Sequence, residues 1–237
     1  MKLKSVLGLA AIVFSALGLA TACSESTNEY HESTFYPNNP EGRILYADQT
    51  VDSVYFISLD SWKLTESFVN SSPWFTASPK EVTIPANANV HARIDIQTTT
   101  NTTGETRYGA LNVVTTFAKF GTLSMPVRQT GWLEVSLPAP VFAANAKRPT
   151  FSTSLTASGA KARLAFRLYD TDIATHSLTS DAEWFVIPEA NAQPADGLTN
   201  LTIEIPDNTS TEARMATITL TSAGITEKIT YTQDGKK

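Results

Sequence analysis

From about residue 43 onward, Thr, Val and Ile recur at every second position, and the runs are broken by clusters of Pro, Gly and Asn. Alternation with a period of two places successive side chains on opposite faces of a strand. No stretch keeps an amphipathic helical period for three turns. The clearest alternation lies in two segments. Gly109, Leu111 and Val113 alternate with Tyr108, Ala110 and Asn112, and Ala216, Ile218 and Leu220 alternate with Met215, Thr217 and Thr219. Each predicts a hairpin with a following strand, Leu123 to Gln129 and Glu227 to Gln233. Further strands are expected at Val54–Leu59, Trp62–Thr65, Val82–Ile84 and Ala92–Gln97. A second set is expected at Phe151–Leu155, Ala162–Tyr169, Trp184–Ile187 and Leu201–Ile205.

The two sets are copies. Asn101-Thr-Thr-Gly-Glu-Thr-Arg107 returns as Asn208-Thr-Ser-Thr-Glu-Ala-Arg214. Trp74-Phe75 and Trp184-Phe185 precede the copies, and Gln129-Thr-Gly131 and Gln233-Asp-Gly235 follow them. Trp to Arg is 33 and then 30 residues, and Arg to Gln is 22 and then 19. A repeat near a hundred residues is too long for a solenoid unit and suits two copies of a small domain. Many short strands with a Trp and no helix predict an all-β chain of two tandem antiparallel immunoglobulin-like β-sandwiches. They would span residues 43–133 and 134–237, with almost no linker between them.

The N-terminus changes the picture. Lys2 and Lys4 precede an apolar run from Ser5 to Leu19, and Ala20-Thr-Ala22 leads to Cys23. That is a secretory signal over residues 1–22, and the cysteine after it resembles the lipobox of bacterial lipoproteins. The resemblance implies lipidation at Cys23 and a membrane partner through that anchor, since two or three acyl chains hold a protein stably. Residues 23–42 are polar and read as a tether. Cys23 is the only cysteine, so core burial rather than disulfides must stabilise both sandwiches. Loss of Lys2 and Lys4 with the signal takes the net charge from −5 to −7. With no cluster of Lys and Arg, nucleic acid is not an expected partner.

Candidate chemistry is sparse. His31, His91 and His176 stand in no local pattern with Ser, Cys or Glu, so no catalytic residue, metal site or cofactor is expected. Asp170-Thr-Asp172 lacks the third ligand and the glycine of a calcium loop. The duplicated Trp74, Trp184, Asn101, Asn208, Arg107, Arg214, Gln129 and Gln233 read as structural. The asparagines bond their own turn, the arginines tie loop carbonyls, and the glutamines share strand parity with inward-facing Val127 and Tyr231.

The Trp–hydrophobic pair, the Asn-Thr-x-x-x-x-Arg turn and the hairpin ending in Gln-x-Gly resemble the BACON domain (Bacteroidetes-associated, carbohydrate-binding, often N-terminal). Ser61-Trp-Lys-Leu-Thr65 resembles the family's first tryptophan strand. The second copy is the cleaner match from Asn208 to Gly235, while Val141 to Asp181 departs and holds no counterpart of Trp62. The resemblance implies a non-enzymatic lipoprotein of a Bacteroidetes-type outer membrane, on its cell-surface or periplasmic face, in contact with polysaccharide or glycoprotein. A structural spacer that holds a partner surface protein is the alternative. Stacking on a sugar needs exposed aromatic planes, and these are sought where the copies differ. Phe117 and Phe120 stand at a hairpin tip where the second copy has Ser222-Ala-Gly-Ile225, and Tyr108 stands where it has Met215. Phe68, in the loop before Trp74, and Trp132 at the junction complete the candidates; for Trp132 packing in the interdomain joint is the favoured reading. Asp52-Ser53-Val54 resembles a short O-glycosylation site of Bacteroides-like cells.

Overall fold

The computed structural model describes residues 33–69, 72–85, 88–116, 121–142 and 148–237. Its first strands, in chain order, are β1 (Thr34–Tyr36), β2 (Arg43–Leu45), β3 (Val51–Ser58), β4 (Trp62–Phe68), β5 (Phe75–Ser78), β6 (Glu81–Val82), β7 (Val90–Thr98), β8 (Arg107–Thr115) and β9 (Thr122–Gln129). They form two sheets, β1-β3-β7-β5 and β2-β9-β8-β4-β6. The strands that follow are β10 (Glu134–Leu137), β11 (Pro140–Val141), β12 (Thr150–Leu155), β13 (Ala160–Leu168), β14 (Ser177–Ser180), β15 (Gly197–Ile205), β16 (Arg214–Ser222) and β17 (Ile225–Gln233). They form the sheets β10-β13-β15 and β11-β12-β17-β16-β14. The chain is thus all-β, and the two sandwiches share the orders β1-β3-β7 with β10-β13-β15 and β2-β9-β8-β4 with β12-β17-β16-β14, differing in the edge strands β5, β6 and β11.

Alternation fixes which face is buried. On β8, Leu111, Val113 and Thr115 are buried and Val114 is exposed; on β16, Ala216, Ile218 and Leu220 are buried and Met215 is exposed. Each sandwich has its own core. In the first, Phe56 packs edge-on against Phe35 and Trp62 at 5.0 and 5.5 Å between ring centroids. In the second, Phe185 lies 4.9 Å from Tyr231, whose buried hydroxyl donates to the Arg163 carbonyl at 2.7 Å. Burial pushes the Tyr231 phenol above its ordinary range.

Three sequence expectations need correction. The segment read as tether to residue 42 already contains β1, which pairs antiparallel with β3. One inward aromatic, Phe35, carries this otherwise polar strand into the core. Trp184–Ile187 is not a strand: Trp184 sits in a turn in which the Phe185 amide donates to the Ala182 carbonyl at 3.0 Å. The preceding strand is β14, paired with β16. Finally, pairing is not antiparallel throughout, since β2 runs parallel to β9 and β12 parallel to β17. In each sandwich the chain crosses from one sheet to the other after its first strand. In the first, the crossing passes Gly42, whose φ of +71° and close approach to the Pro126 backbone leave no room for a side chain.

Residues 33–237 form one compact unit, and the joint between the sandwiches shows why. Ala47, from the first, and Leu133 both sit fully buried in the second core. Asp48, 1% exposed, accepts hydrogen bonds at 2.9 Å from the Tyr169 amide and from Ser222 Oγ. Tyr46 stacks on Tyr169 at 5.9 Å and 14°, and the Tyr169 hydroxyl donates to Glu134 at 2.5 Å. Buried Glu227 accepts from the Leu133 amide at 3.3 Å and from the Arg148 guanidinium. Desolvation raises the Glu227 carboxyl above its ordinary range, against the pull of Arg148 and of the Leu133 amide.

Candidate functional site

The duplicated residues meet at one end of each sandwich. In the first, Gln129 closes β9 with its side chain fully buried. Its amide nitrogen donates to the carbonyls of Gln49 at 3.0 Å and of Tyr46 and Thr99 at 3.3 Å. Its amide oxygen accepts from Arg107. The same guanidinium donates to the Thr99 carbonyl at 2.7 Å and lies 5.1 Å over the Trp74 ring, a cation–π contact. Desolvation lowers the pKa of Arg107. Asn101 Nδ2 donates to the carbonyls of Glu105 and Thr130 at 2.7 and 2.9 Å, while Oδ1 accepts from Thr103 Oγ1 at 2.7 Å. A methyl group at Gly131 would overlap the Gly104–Glu105 backbone.

The second sandwich repeats the cluster. Gln233 donates to the carbonyls of Pro206, Thr156 and Ala157 at 3.0, 3.1 and 3.2 Å. Arg214 Nε donates to Gln233 Oε1 at 2.8 Å, its Nη2 to the Pro206 carbonyl at 2.9 Å, and the guanidinium lies 4.5 Å over Trp184. Asn208 Nδ2 donates to the Glu212 and Asp234 carbonyls at 2.8 and 3.0 Å. A side chain at Gly235 would overlap the Thr211 carbonyl. These amides and guanidinium groups bond loop carbonyls of their own sandwich, so the cluster is a polar plug that ties strand ends together.

The described histidines stand apart from each other. His91 is exposed at the start of β7, and His176 is buried with Nδ1 3.0 Å from the Pro194 carbonyl. Among the described residues no group of three His, Cys, Asp or Glu side chains is placed to hold a metal ion. Asp170 accepts from Thr175 Oγ1 at 2.7 Å and Asp172 from the Ala174 amide at 3.2 Å, so both carboxylates serve their own turn.

The five aromatic candidates separate. Phe68 is not in an exposed loop: it ends β4 half-buried, with its ring 5.0 Å from Phe75 and 6.4 Å from Trp74. It shares the inward parity of Trp62 and Leu64 along β4, and the neighbouring Trp74-Phe75 pair completes its apolar seat. Trp132 is half-buried at the joint, where its carbonyl accepts from the Ala47 amide at 3.1 Å. Tyr108 is 52% exposed and stands opposite Arg128 on β9. Phe117 and Phe120 lie outside the described residues, as do Cys23 and residues 1–22, the segment expected to be a signal. Asp52-Ser53-Val54 lies within β3, with Asp52 held by Arg43 at 2.6 and 2.8 Å and Val54 fully buried.

Three exposed aromatics escaped the sequence reading: Phe142, which is 62% exposed just after β11, and a pair on one sheet. Tyr36 is 60% and Tyr55 41% exposed, and they face each other across β1 and β3 on the outside of the sheet. The signal for Tyr55 was its position between inward Val54 and Phe56. Tyr36 was hidden by the tether assignment.

A family model described as "BACON: Putative binding domain, N-terminal" matches residues 174–234. The match falls wholly within the second sandwich. The BACON match takes in Trp184, Asn208, Arg214 and Gln233, the second set of plug residues. The first sandwich repeats that plug outside the matched BACON residues. Among curated proteins none matches the chain. Among solved structures, the chain is similar to a Bacteroides ovatus GH5 xyloglucanase in complex with a XXXG heptasaccharide. Identity is 12% over 54% of this chain and 27% of that one, with a TM-score of 0.35; the chain therefore spans about a quarter of that enzyme. A protein from Bacteroides thetaiotaomicron is 12% identical over 44% of this chain and 89% of its own, at a TM-score of 0.29. WR4, a C. elegans MSP family member, is 11% identical over 41% and 95%, at a TM-score of 0.28.

Proposed function

We propose that this protein is a non-enzymatic, lipid-anchored component of a bacterial outer membrane that binds polysaccharide or glycoprotein through its first sandwich. The BACON match supports a binding role. The observation that carries the reading is the placement of exposed aromatics on the sheets themselves, since Phe142, the exposed aromatic of the second half, lies past the end of β11 rather than on a sheet face. Tyr36, Tyr55 and Tyr108 stand out from the sheets of the first sandwich, whereas the second has Leu137, Ala165 and Met215 at the matching positions. A tyrosine offers a broad apolar plane with a polar tip at low conformational cost, which suits a ligand that is apolar on its faces and polar at its edges.

A glycan array and a mucin pull-down with the lipid-free chain from Ser24 to Lys237 test the reading. This fragment keeps β1, which a start near residue 40 would remove. Binding to at least one glycan is expected; none across both assays contradicts the proposal. Lipid attachment at Cys23 is tested separately. Palmitate labelling and membrane fractionation should both be lost in Cys23→Ala, and a variant that keeps both rules out the anchor.

The spacer reading draws on one observation, the buried joint built on Asp48. A stiff pair of sandwiches would hold a partner surface protein at a set distance from the membrane. It predicts a co-purifying protein and no sugar affinity.

A further inference from the structure

The outer face of β1-β3-β7 carries a row that crosses three strands. Tyr36 stands opposite Tyr55 in the β1–β3 register, and Tyr55 stands opposite Arg93 in the β3–β7 register. Residues directly opposite across a sheet share a face, and two strand spacings make the row roughly 10 Å wide. Both rings are open to solvent. Arg93 Nε donates to Asp95 Oδ1 at 2.6 Å, and both of these side chains remain about half exposed, at 60% and 46%. Ser53 lies opposite Asp95 on the next row, and His91 lies opposite Ile57 on the row before.

The second sandwich supplies an internal control. Asn101 and Asn208 are 107 residues apart, as are Arg93 and Asn200, while the loop residues Ala47 and Ala157, whose carbonyls accept from Asn101 and Asn208, set the offset between β3 and β13. The corresponding row is therefore Leu137–Ala165–Asn200, read off the β10–β13 and β13–β15 registers. Where the plug was kept, this row was not. The fold does not need two tyrosines there, because Phe35 and Phe56, their neighbours in sequence, do the inward packing.

Resting on the glycan reading above, we infer that Tyr36, Tyr55 and Arg93 form a stacking platform for a neutral pyranose glycan laid across β1, β3 and β7. The C–H face of a pyranose packs on the negative face of an aromatic ring. Its hydroxyls take donors and acceptors from Arg93, Asp95 and the two phenols. The charge on the row selects against acidic sugars, since the Arg93 guanidinium is already bonded to the Asp95 carboxylate. Ser53, Asp95, His91 and one aliphatic side chain, Ile57, border the rings, so this is two aromatic planes in a mainly polar frame rather than the apolar centre of a protein interface.

Titration of the Ser24–Lys237 chain with cellohexaose, maltohexaose and mannohexaose, and with heparin as the acidic probe, tests the platform. The wild type should bind at least one neutral hexasaccharide. Tyr36→Ala combined with Tyr55→Ala should weaken it roughly tenfold or more, with the unfolding midpoint unchanged. Met215→Ala, on the second sandwich, should bind as the wild type does. Neutral binding that survives the double substitution overturns the platform and leaves the glycan reading standing. Binding of heparin alone overturns the neutral ligand, and no binding to any glycan ends both. Self-association that the double variant abolishes without sugar would reassign the face to a second copy of the chain.

Discussion

At their plugged ends the two sandwiches are near copies. Arg107 lies 5.1 Å over Trp74 and Arg214 lies 4.5 Å over Trp184, and each guanidinium bonds the glutamine that closes the last strand. On the outer sheet face they have parted, with Tyr36 and Tyr55 in one and Leu137 and Ala165 in the other. The contrast separates two kinds of constraint. A buried amide that satisfies three loop carbonyls leaves no room for drift, because each unpaired buried group costs about 1–3 kcal/mol. An outward side chain between two well-packed neighbours is free to change, so its identity reports on what the face meets. Even the plugs differ in detail: Arg107 Nε is buried without a partner, whereas Arg214 Nε donates to Gln233.

The largest way to break the likeness is Gln233→Leu. It removes the Gln233 bonds to the Pro206, Thr156 and Ala157 carbonyls and leaves Arg214 Nε without its acceptor. We expect a loss of about 3 kcal/mol or more in denaturant unfolding, with the same result for Gln129→Leu. Asp48→Ala comes next, since it leaves the Tyr169 amide and Ser222 hydroxyl unpaired inside the joint. It should cost about 2 kcal/mol and split a single unfolding transition toward two. An unchanged, single transition would show that the sandwiches are coupled by other contacts. A smaller effect sharpens the comparison of the plugs: Arg214→Ala should cost about 1 kcal/mol more than Arg107→Ala, because Arg214 makes the fuller set of bonds.

The smallest effect is in pH. Burial raises the folded-state pKa of Glu227 above its ordinary 4.5, so the folded chain holds this proton more tightly than the unfolded one. Its contribution is fully present below pH 4.5 and is lost as pH rises through the folded value. Glu227→Gln should therefore flatten the stability profile above that point, as read from unfolding midpoints across the acid range; an unaltered slope would assign it to other groups.

Much of this was legible from alternation alone. The β8–β9 and β16–β17 hairpins follow from Leu111, Val113, Ile218 and Leu220, and the duplicated line marks where each ends. Three features were not. β1 holds a single inward apolar residue, Phe35, in a polar stretch, which is too little for a periodic signal. Trp184-Phe185 copies the letters of Trp74-Phe75, but Phe75 opens β5 while Phe185 closes a turn on Ala182. The Asp48 joint pairs residues 121 and 174 positions apart, and no local pattern announces such a contact. Of the site, the plug residues could be singled out by repetition. The Tyr36–Tyr55 pair could not, because it exists only once β1 is laid against β3.

The most direct test of the division between shared structure and divergent surface is denaturant unfolding of Arg214→Ala, followed with glycan titration of the folded protein. A lowered midpoint with wild-type affinity is the expected result. An unchanged midpoint with lost affinity would make the duplicated line a contact site and contradict the structural role assigned to it.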